Sequence, residues 1–496
     1  MDVSFEQIPS NIIASKVAIE VNAKNSSLGS SIIPEKILII GQYDNSKVVE
    51  NYKPFEVVGG LQEVKNRYGY GSMLAIMAEK VFANAGTTIP VYISAVPDSS
   101  SGVKASGSIE MTGTITKAGV YYFYFAGQRV AVSVTKNMTA TEQAAAIANA
   151  INANLDLPVS AISEDGEVII TAKWKGATGN YITIIQNLLG LEEENASPEG
   201  ASVVISAMSS GATNPDITNC FDSLGGSTWW TVLVNPYTDT ANLTILEENA
   251  ERLADPLVKR MVNSISATTL GLVEAQNLAS SRNSRFNTIV HVANSPSLPF
   301  EVASAVAGVV ANSAQVDPAR PFKNLVLNGI LAGESLTYSQ IDNSEKKGLA
   351  ETDIMSDGRV KIYDLVTTYK TNNAGANDDA YRYTVTISNI QAKIYSIDNM
   401  FSSEPFVRAK IIDDNMSTSQ SYAVSPKIVK GYILSLIDDL WIANAWSKNR
   451  DTIKDSIQVN INSANPSRID ISFVDIIVLG ERIIAVNYGF AFMPAN

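Results

Sequence analysis

The feature that most constrains the fold is a short apolar run, Ile37-Leu38-Ile39-Ile40, ending in Gly41. Four consecutive aliphatic residues leave no polar face. A strand built from them must be covered on both sides, as strands of a parallel sheet are. A helix is expected next, over residues 72–85. Ser72 can serve as its N-cap, Met73, Ile76, Met77 and Val81 fall on one face, and Gly86 stops it. Residues 90–96 read as the following strand. Strand, helix and strand at this spacing form the crossover unit of an α/β layer. The same texture returns as strands at 230–234 and 288–292 and helices at about 242–254 and 301–311, so the layer is expected to be discontinuous in sequence.

Between these parts the texture changes. From Val103 to about Ser210 the chain is β-rich, with Ser/Gly-rich edges, SSSG and SSGATNP, that look like the stems of an inserted domain. Residues 120–125 and 129–134 flank Ala126-Gly127-Gln128 as a hairpin would. One helix is opened by a capping box from Thr139 to Glu142 and carries Ile147, Ile151 and Leu155. Residues 168–173 read as another strand. Near the C-terminus, Ser425-Pro426 starts a long helix bearing Ile428, Val429, Tyr432, Ile433, Leu436, Leu440 and Trp441. Strands are expected around it at 457–461, 469–473 and 482–492. At 496 residues the chain is too long for one core, and roughly 100–200 residues per domain gives three or four.

The chemistry that enzymes need is sparse. His291 is the sole histidine and sits in a strand-like TIVHV, where a hydrogen-bonded structural role is the simpler reading. Gly71-Ser72-Met73-Leu74-Ala75 superficially echoes the nucleophile segment of subtilisin-type proteases. An N-cap role explains Ser72 better, and it precedes the only histidine, against that family's Asp, His, Ser order. Gly69/Gly71 and Gly176/Gly179 lack the Lys-Ser/Thr of a phosphate loop. Asp378-Asp379 and Asp413-Asp414 are adjacent and so do not form facing pairs, and Glu192 to Glu194 read as a solvated face. The Asn/Asp loop at 372–379 lacks the EF-hand spacing for calcium. No catalytic, cofactor-binding or metal site is expected.

Charge narrows the partners. With 37 basic and 50 acidic residues the net charge is −13, and no basic run occurs. Sequence-independent nucleic-acid binding needs clustered Lys and Arg, so it is not expected. Cys220 is the only cysteine, which excludes an intrachain disulfide and suits a reducing compartment. MDVSFEQIPSN has neither the basic nor the apolar region of a signal peptide. The longest weakly polar stretch, 302–311, is far short of the roughly 20 residues of a membrane span.

The ends carry another signal. Val17, Ile19 and Val21 alternate with polar or small neighbours, and the polar tract NAKNSSLGSS follows as a flexible joint. At the other end Ile484, Val486, Tyr488, Phe490 and Phe492 alternate with Ala485, Asn487, Gly489 and Ala491. Two readings stand: an interior strand of the last domain, or strands that add to a neighbouring subunit's sheet.

Residues 357–383, DGRVKIYDLVTTYKTNNAGANDDAYRY, fit no common enzyme mechanism; a β-type run enters a polar loop shaped by Asx turns and left-handed Gly or Asn. The order DG-V-I, then TTY, TN, AG and DDAY, resembles contractile phage tail sheath proteins of the Mu-like family. So do FEQIPSNI with VAIEV, ILIIGQ, GYGSMLAIM, ARPFKNLVLNGI, SPKIVKGYI and DSIQVNINSANPSRID, in order from residue 5 to the end. Asn465-Pro-Ser-Arg468 departs from the family's Asp-Pro-Asn-Arg.

The resemblance implies a multidomain α/β protein. Its parts would be an N-terminal arm (1–31), a discontinuous α/β layer that is subtilisin-like by fold alone (32–102 and 211–345), a β-rich outward-facing insertion (103–210) and a C-terminal α+β sheath domain ending in a terminal strand arm (346–496). It selects the second reading of the ends, with Val17, Ile19, Val21, Ile484, Val486, Tyr488 and Phe490 as subunit-contact residues. It further implies a non-enzymatic subunit, without cofactor, that polymerises with itself around a tail tube. The partners would be the tail tube protein and the baseplate and tail terminator proteins, with no direct membrane insertion. Such a protein assembles in the host bacterial cytoplasm and resides in the virion tail. The alternatives are the sheath of a headless bacteriocin-type device, a tail tube or baseplate protein, and an α/β hydrolase, the last opposed by the single His291.

Overall fold

The computed structural model describes residues 33–195 and 197–489. Residues 34–391 and 478–489 make one compact unit, and residues 392–477 another. Among the described residues, no helix is long and apolar enough to cross a membrane.

The larger unit begins with β1 (Ile37–Gln42), β2 (Pro54–Val57), α1 (Gly60–Tyr68), α2 (Met73–Ala85) and β3 (Val91–Val96). The chain then makes β4 (Lys104–Lys117), β5 (Gly119–Phe125), β6 (Gln128–Val134), α3 (Ala140–Ala153), β7 (Val159–Glu164), β8 (Glu167–Lys175), β9 (Ile184–Gln186) and β10 (Glu199–Ser209). It returns through β11 (Val232–Val234), α4 (Thr240–Leu253), β12 (Asn263–Thr268), α5 (Leu272–Ser280), β13 (Asn287–His291) and α6 (Pro299–Val316). Last come β14 (Val326–Leu327), α7 (Tyr338–Lys346), β15 (Leu349–Ile354), β16 (Val360–Ile362) and α8 (Thr384–Phe401), within which the unit ends.

One nine-stranded sheet, ordered β14-β16-β15-β13-β12-β11-β1-β3-β2, organises this unit. Pairing is parallel from β15 through β13, β12, β11 and β1 to β3, and antiparallel at both margins. All of β1 is buried, as its unbroken apolar run requires. Burying each of its aliphatic side chains contributes about 2 kcal/mol. The α2 helix starts at Ser72 as expected, and α6 lies against it. Gly308 permits that approach: a Cβ there would stand 2.8 Å from Asn84 Cβ and 2.9 Å from the Ala85 nitrogen.

The sequence reading did not foresee β2, β12 or α5. β12, Asn-Ser-Ile-Ser-Ala-Thr, is polar yet wholly buried. Two of its side chains are met from afar, while the Ser264 hydroxyl is buried without a partner among the described residues: Asn263 Nδ2 donates to Ser388 Oγ (2.8 Å), and Asn235 Nδ2 donates to Ser266 Oγ (3.1 Å).

Between β3 and β11 lie a four-stranded antiparallel sheet, β10-β4-β8-β7, and a three-stranded one, β6-β5-β9. The α3 helix packs on strands of both. The stems pair with each other: Val103 N donates to Ala212 O (3.0 Å) and Ala212 N to Val103 O (3.2 Å). Gln42, the last residue of β1, donates to Asp98 Oδ1 and to Lys175 O, both at 2.7 Å. The capping box at Thr139 and Glu142 is present. The helix ends at Ala153, however, so Leu155 lies beyond its face and is exposed. The Asn154 carbonyl accepts from Leu157 N (3.3 Å), and the resulting turn buries Leu157 instead.

In the smaller unit, α9 (Pro426–Leu436) continues as a π-helical segment, Ile437–Ile442, and α10 (Arg450–Ser456) follows. Ser425 Oγ accepts from Ile428 N (3.4 Å), giving the expected N-cap. Val429, Ile433, Leu436, Ile437 and Trp441 form the buried stripe. Ile428 and Tyr432, expected on that face, are exposed at its edge, where Tyr432 meets Phe406 edge-on (5.0 Å between ring centres). A short parallel pair, β17 (Lys410–Ile411) and β18 (Ala423–Val424), and an antiparallel hairpin, β19 (Gln458–Ile461) and β20 (Ile469–Ser472), complete the unit. Of the strand expected at 482–492, residues 482–489 are described and pair with no strand, while 490–492 lie outside the described residues, as does the strand expected at 17–21.

Candidate functional site

The two groups that could have hinted at catalysis are occupied. His291 ends β13 with its side chain fully buried. Its Nε2 stands 2.9 Å from the Leu270 carbonyl, which can only accept, so Nε2 carries a proton. Its Nδ1 lies 2.8 Å from Glu351 Oε2 and shares a proton with it. Neither ring nitrogen is left to activate a nucleophile. Ser72 Oγ accepts from Ala75 N (3.2 Å) and donates to Gly69 O (2.8 Å), which is the geometry of a helix cap. Burial pushes the Cys220 thiol up to about 12, far from thiolate chemistry near neutrality. Among the described residues, no group of three His, Cys, Asp or Glu side chains could hold a metal ion.

The 357–383 block is internal scaffolding. Leu365, Val366, Thr367 and Thr368 are buried, and Val366 bridges to Tyr383. Lys370 Nζ plugs the C-terminal end of α5, donating to the carbonyls of Ala279 (3.2 Å), Arg282 (2.5 Å) and Thr368 (2.7 Å). Burial lowers this ammonium to about 8. In the polar loop Asn372 Oδ1 accepts from the amides of Ala374 and Ala376. Asp378 takes the Tyr369 hydroxyl at 2.6 Å and the Ala380 amide at 3.0 Å, so its oxygens serve the turn.

The C-terminal run is the unusual surface. Ile483, Ile484, Val486 and Tyr488 are exposed by 83, 77, 78 and 81% respectively, within six residues of chain. An interior strand of the last domain would bury them, so that reading is overturned. Of the expected contact residues, Ile484, Val486 and Tyr488 thus lie together on one exposed segment, while Val17, Ile19, Val21 and Phe490 fall outside the described residues. Sequence reasoning missed Gly480, Glu481 and Arg482, which hold the root of that segment. Arg482, expected at the start of a strand, is instead an anchor.

No family model matches the sequence. The tail sheath protein of the Mu-like prophage FluMu of Haemophilus influenzae is 28% identical over 491 residues, 98% of this chain and 99% of that protein. The chain is thus similar, along almost its whole length, to a Mu-like tail sheath protein. Two solved sheath structures share its mixed α/β, multi-sheet fold. The sheath complex of PVC, an extracellular contractile injection system, in its contracted state covers 96% of this chain and 98% of its own, with a TM-score of 0.51 and 10% identity. The helical sheath of the anti-feeding prophage, also contracted, covers 96% and 99%, with a TM-score of 0.50 and 12% identity. Among the described surfaces, the exposed apolar segment at 483–488 is the one that stands out.

Proposed function

We propose that the chain is the structural subunit of a contractile tail sheath. It polymerises as a helical tube around a tail tube and contracts to drive that tube through a cell envelope, without catalysis. The observation that carries this reading is the likeness to the FluMu sheath protein, which runs through almost the whole length of both chains. The engaged His291 and Ser72 agree with it. The energy of contraction then resides in subunit packing, and the subunits move as rigid bodies joined by flexible connections.

In this reading the terminal segments, with Val17, Ile19, Val21, Ile484, Val486, Tyr488 and Phe490, add strands to a neighbour. The β19–β20 hairpin, whose sheet has two strands among the described residues, is the acceptor. The nine-stranded layer is subtilisin-like by fold alone, and residues 103–210 form an outward-facing insertion. Tube, baseplate and terminator proteins are the other partners, in a virion tail assembled in the host cytoplasm. The fold likeness to the anti-feeding prophage and PVC sheaths favours a second reading, the sheath of a headless injection device. Capsid genes beside the coding sequence would decide for the phage.

Negative-stain microscopy of the purified protein tests the proposal. Striated tubes or rings are expected, and dispersed monomers at high concentration would reject it. The arms are tested by deleting residues 1–24 and by Val486→Lys. Each strand contact supplies only a few hydrogen bonds of about 1 kcal/mol net, repeated at every subunit. Both variants should melt cooperatively yet form no tubes by light scattering. Normal tubes from the deletion would reject the connector role.

A further inference from the structure

We propose that the blocks 319–330 and 357–383 build a clamp that fixes the point where the C-terminal segment leaves the body of the subunit, with Arg482 as its positioning residue. The proposal rests on the reading of that segment as a connector. The two blocks are one platform: Val326 and Leu327 pair with Lys361 and Val360, and Asn324 N donates to Ile362 O at 2.8 Å. On this platform three successive residues of the segment are gripped in different ways.

Gly480 lies against Pro321, where any Cβ would collide with the proline Cγ and stand 3.0 Å from its Cδ. Lys323 Nζ donates to the Glu481 carbonyl at 2.6 Å and pairs with the Glu481 carboxylate at 3.1 Å. Arg482 Nε donates to Asp364 Oδ2 at 2.6 Å, and one terminal nitrogen donates to Gly480 O at 3.2 Å. Its guanidinium carbon stands 3.4 Å from the centre of the Tyr383 ring. Asp364 is itself held, because its other oxygen accepts from Leu365 N at 2.8 Å.

These grips are unequal. The Lys323–Glu481 pair is open to solvent on its Glu481 side and holds weakly. The Arg482–Asp364 pair is mostly shielded from water, charge-assisted and stacked on an aromatic face, so it holds firmly. The edge of the clamp is one residue wide: the Arg482 side chain is 15% exposed, and Ile483 is 83% exposed.

A fixed root matters because a strand that slips by one residue turns its apolar face outward. Release of residues 480–482 would add up to about 10 Å of slack, at roughly 3.3–3.6 Å per extended residue, and would dilute the segment around its acceptor. The blocks that carry the likeness to sheath proteins therefore set the reach and register of the connector.

Arg482 makes the test direct, since it is a trypsin site whose side chain the clamp occupies. Full-length subunits at low concentration are digested briefly, and release of residues 483–496 is followed by mass spectrometry. Asp364→Asn keeps the Leu365 contact and should raise cleavage after Arg482 tenfold or more. Gly480→Ala, which alters no charge, should do the same if Asp364→Asn folds poorly. Parent-like cleavage in whichever variants fold would overturn the clamp. Faster cleavage with reduced tube yield supports both clamp and connector. Faster cleavage with normal tubes supports the clamp and rejects the connector role of the C-terminal segment.

Discussion

Glu35 offers a quantitative test of how the N-terminal segment is rooted in the fold. Its backbone amide donates to Gln315 Oε1 at 2.9 Å, and its side chain is 1% exposed, just ahead of β1. One carboxyl oxygen faces the Thr231 hydroxyl, and the other is buried with no partner among the described residues. Burial pushes the group from 4.5 up to about 8, with the Thr231 hydrogen bond pulling weakly the other way. The folded state therefore takes up a proton that the unfolded chain releases near 4.5. The stability this proton supports is complete below that pH and is lost as pH rises toward and through 8. At pH 7 the loss spans about 2.5 pH units, or about 3 kcal/mol, and at pH 5 it is under about 1 kcal/mol. Glu35→Gln removes the titration and keeps the shape. Urea unfolding of both proteins, followed by tryptophan fluorescence at low subunit concentration, should show the variant gaining about 2.5 kcal/mol relative to the parent between pH 5 and pH 7. Any fixed cost of the buried amide cancels in that difference. Parallel pH profiles would refute the reasoning and place an ionised Glu35 in the fold.

Other expectations follow from packing. Ser72→Ala should cost about 1 kcal/mol through the lost cap, and together with His291→Ala should leave tube formation intact after correction for stability; denaturation and light scattering read the two effects. Gly308→Ala should destabilise by about 1–3 kcal/mol, because the new Cβ meets the α2 backbone at the Ala85 nitrogen, and urea melts measure it. Replacing residues 103–210 by a short Gly-Ser linker should still give tubes, of smaller outer diameter in micrographs, because Val103 and Ala212 already stand paired; soluble protein unable to polymerise would oppose this.

What was legible in the sequence was mostly local. Ser72, Thr139 with Glu142, and Ser425 announce helix starts through hydrogen bonds made within three residues, and all three caps form. Ile37 to Ile40 announce a strand buried on both faces because no alternative covers four apolar side chains. β12 was illegible for the opposite reason. Its Asn263 and Ser266 are buried only because Ser388 and Asn235 come to meet them, and no pattern within the strand records partners 125 and 31 residues away. Where Leu155 was expected on a helix face, one turn at Asn154 shifted the burial to Leu157.

The C-terminal run joins both cases. Its alternation is a local signal and describes a strand with one apolar face, whatever sheet completes it. Period 2 carries no information on whether that sheet belongs to the same chain, so only burial can decide. Ile484 and Val486 are exposed, while Arg482, two residues before Ile484, is held by Asp364 and Tyr383. A root held at Arg482 and an exposed apolar run beyond it are what the proposed connector requires. The anchor could not be read from the alternation, since it depends on Asp364, 118 residues earlier in the chain.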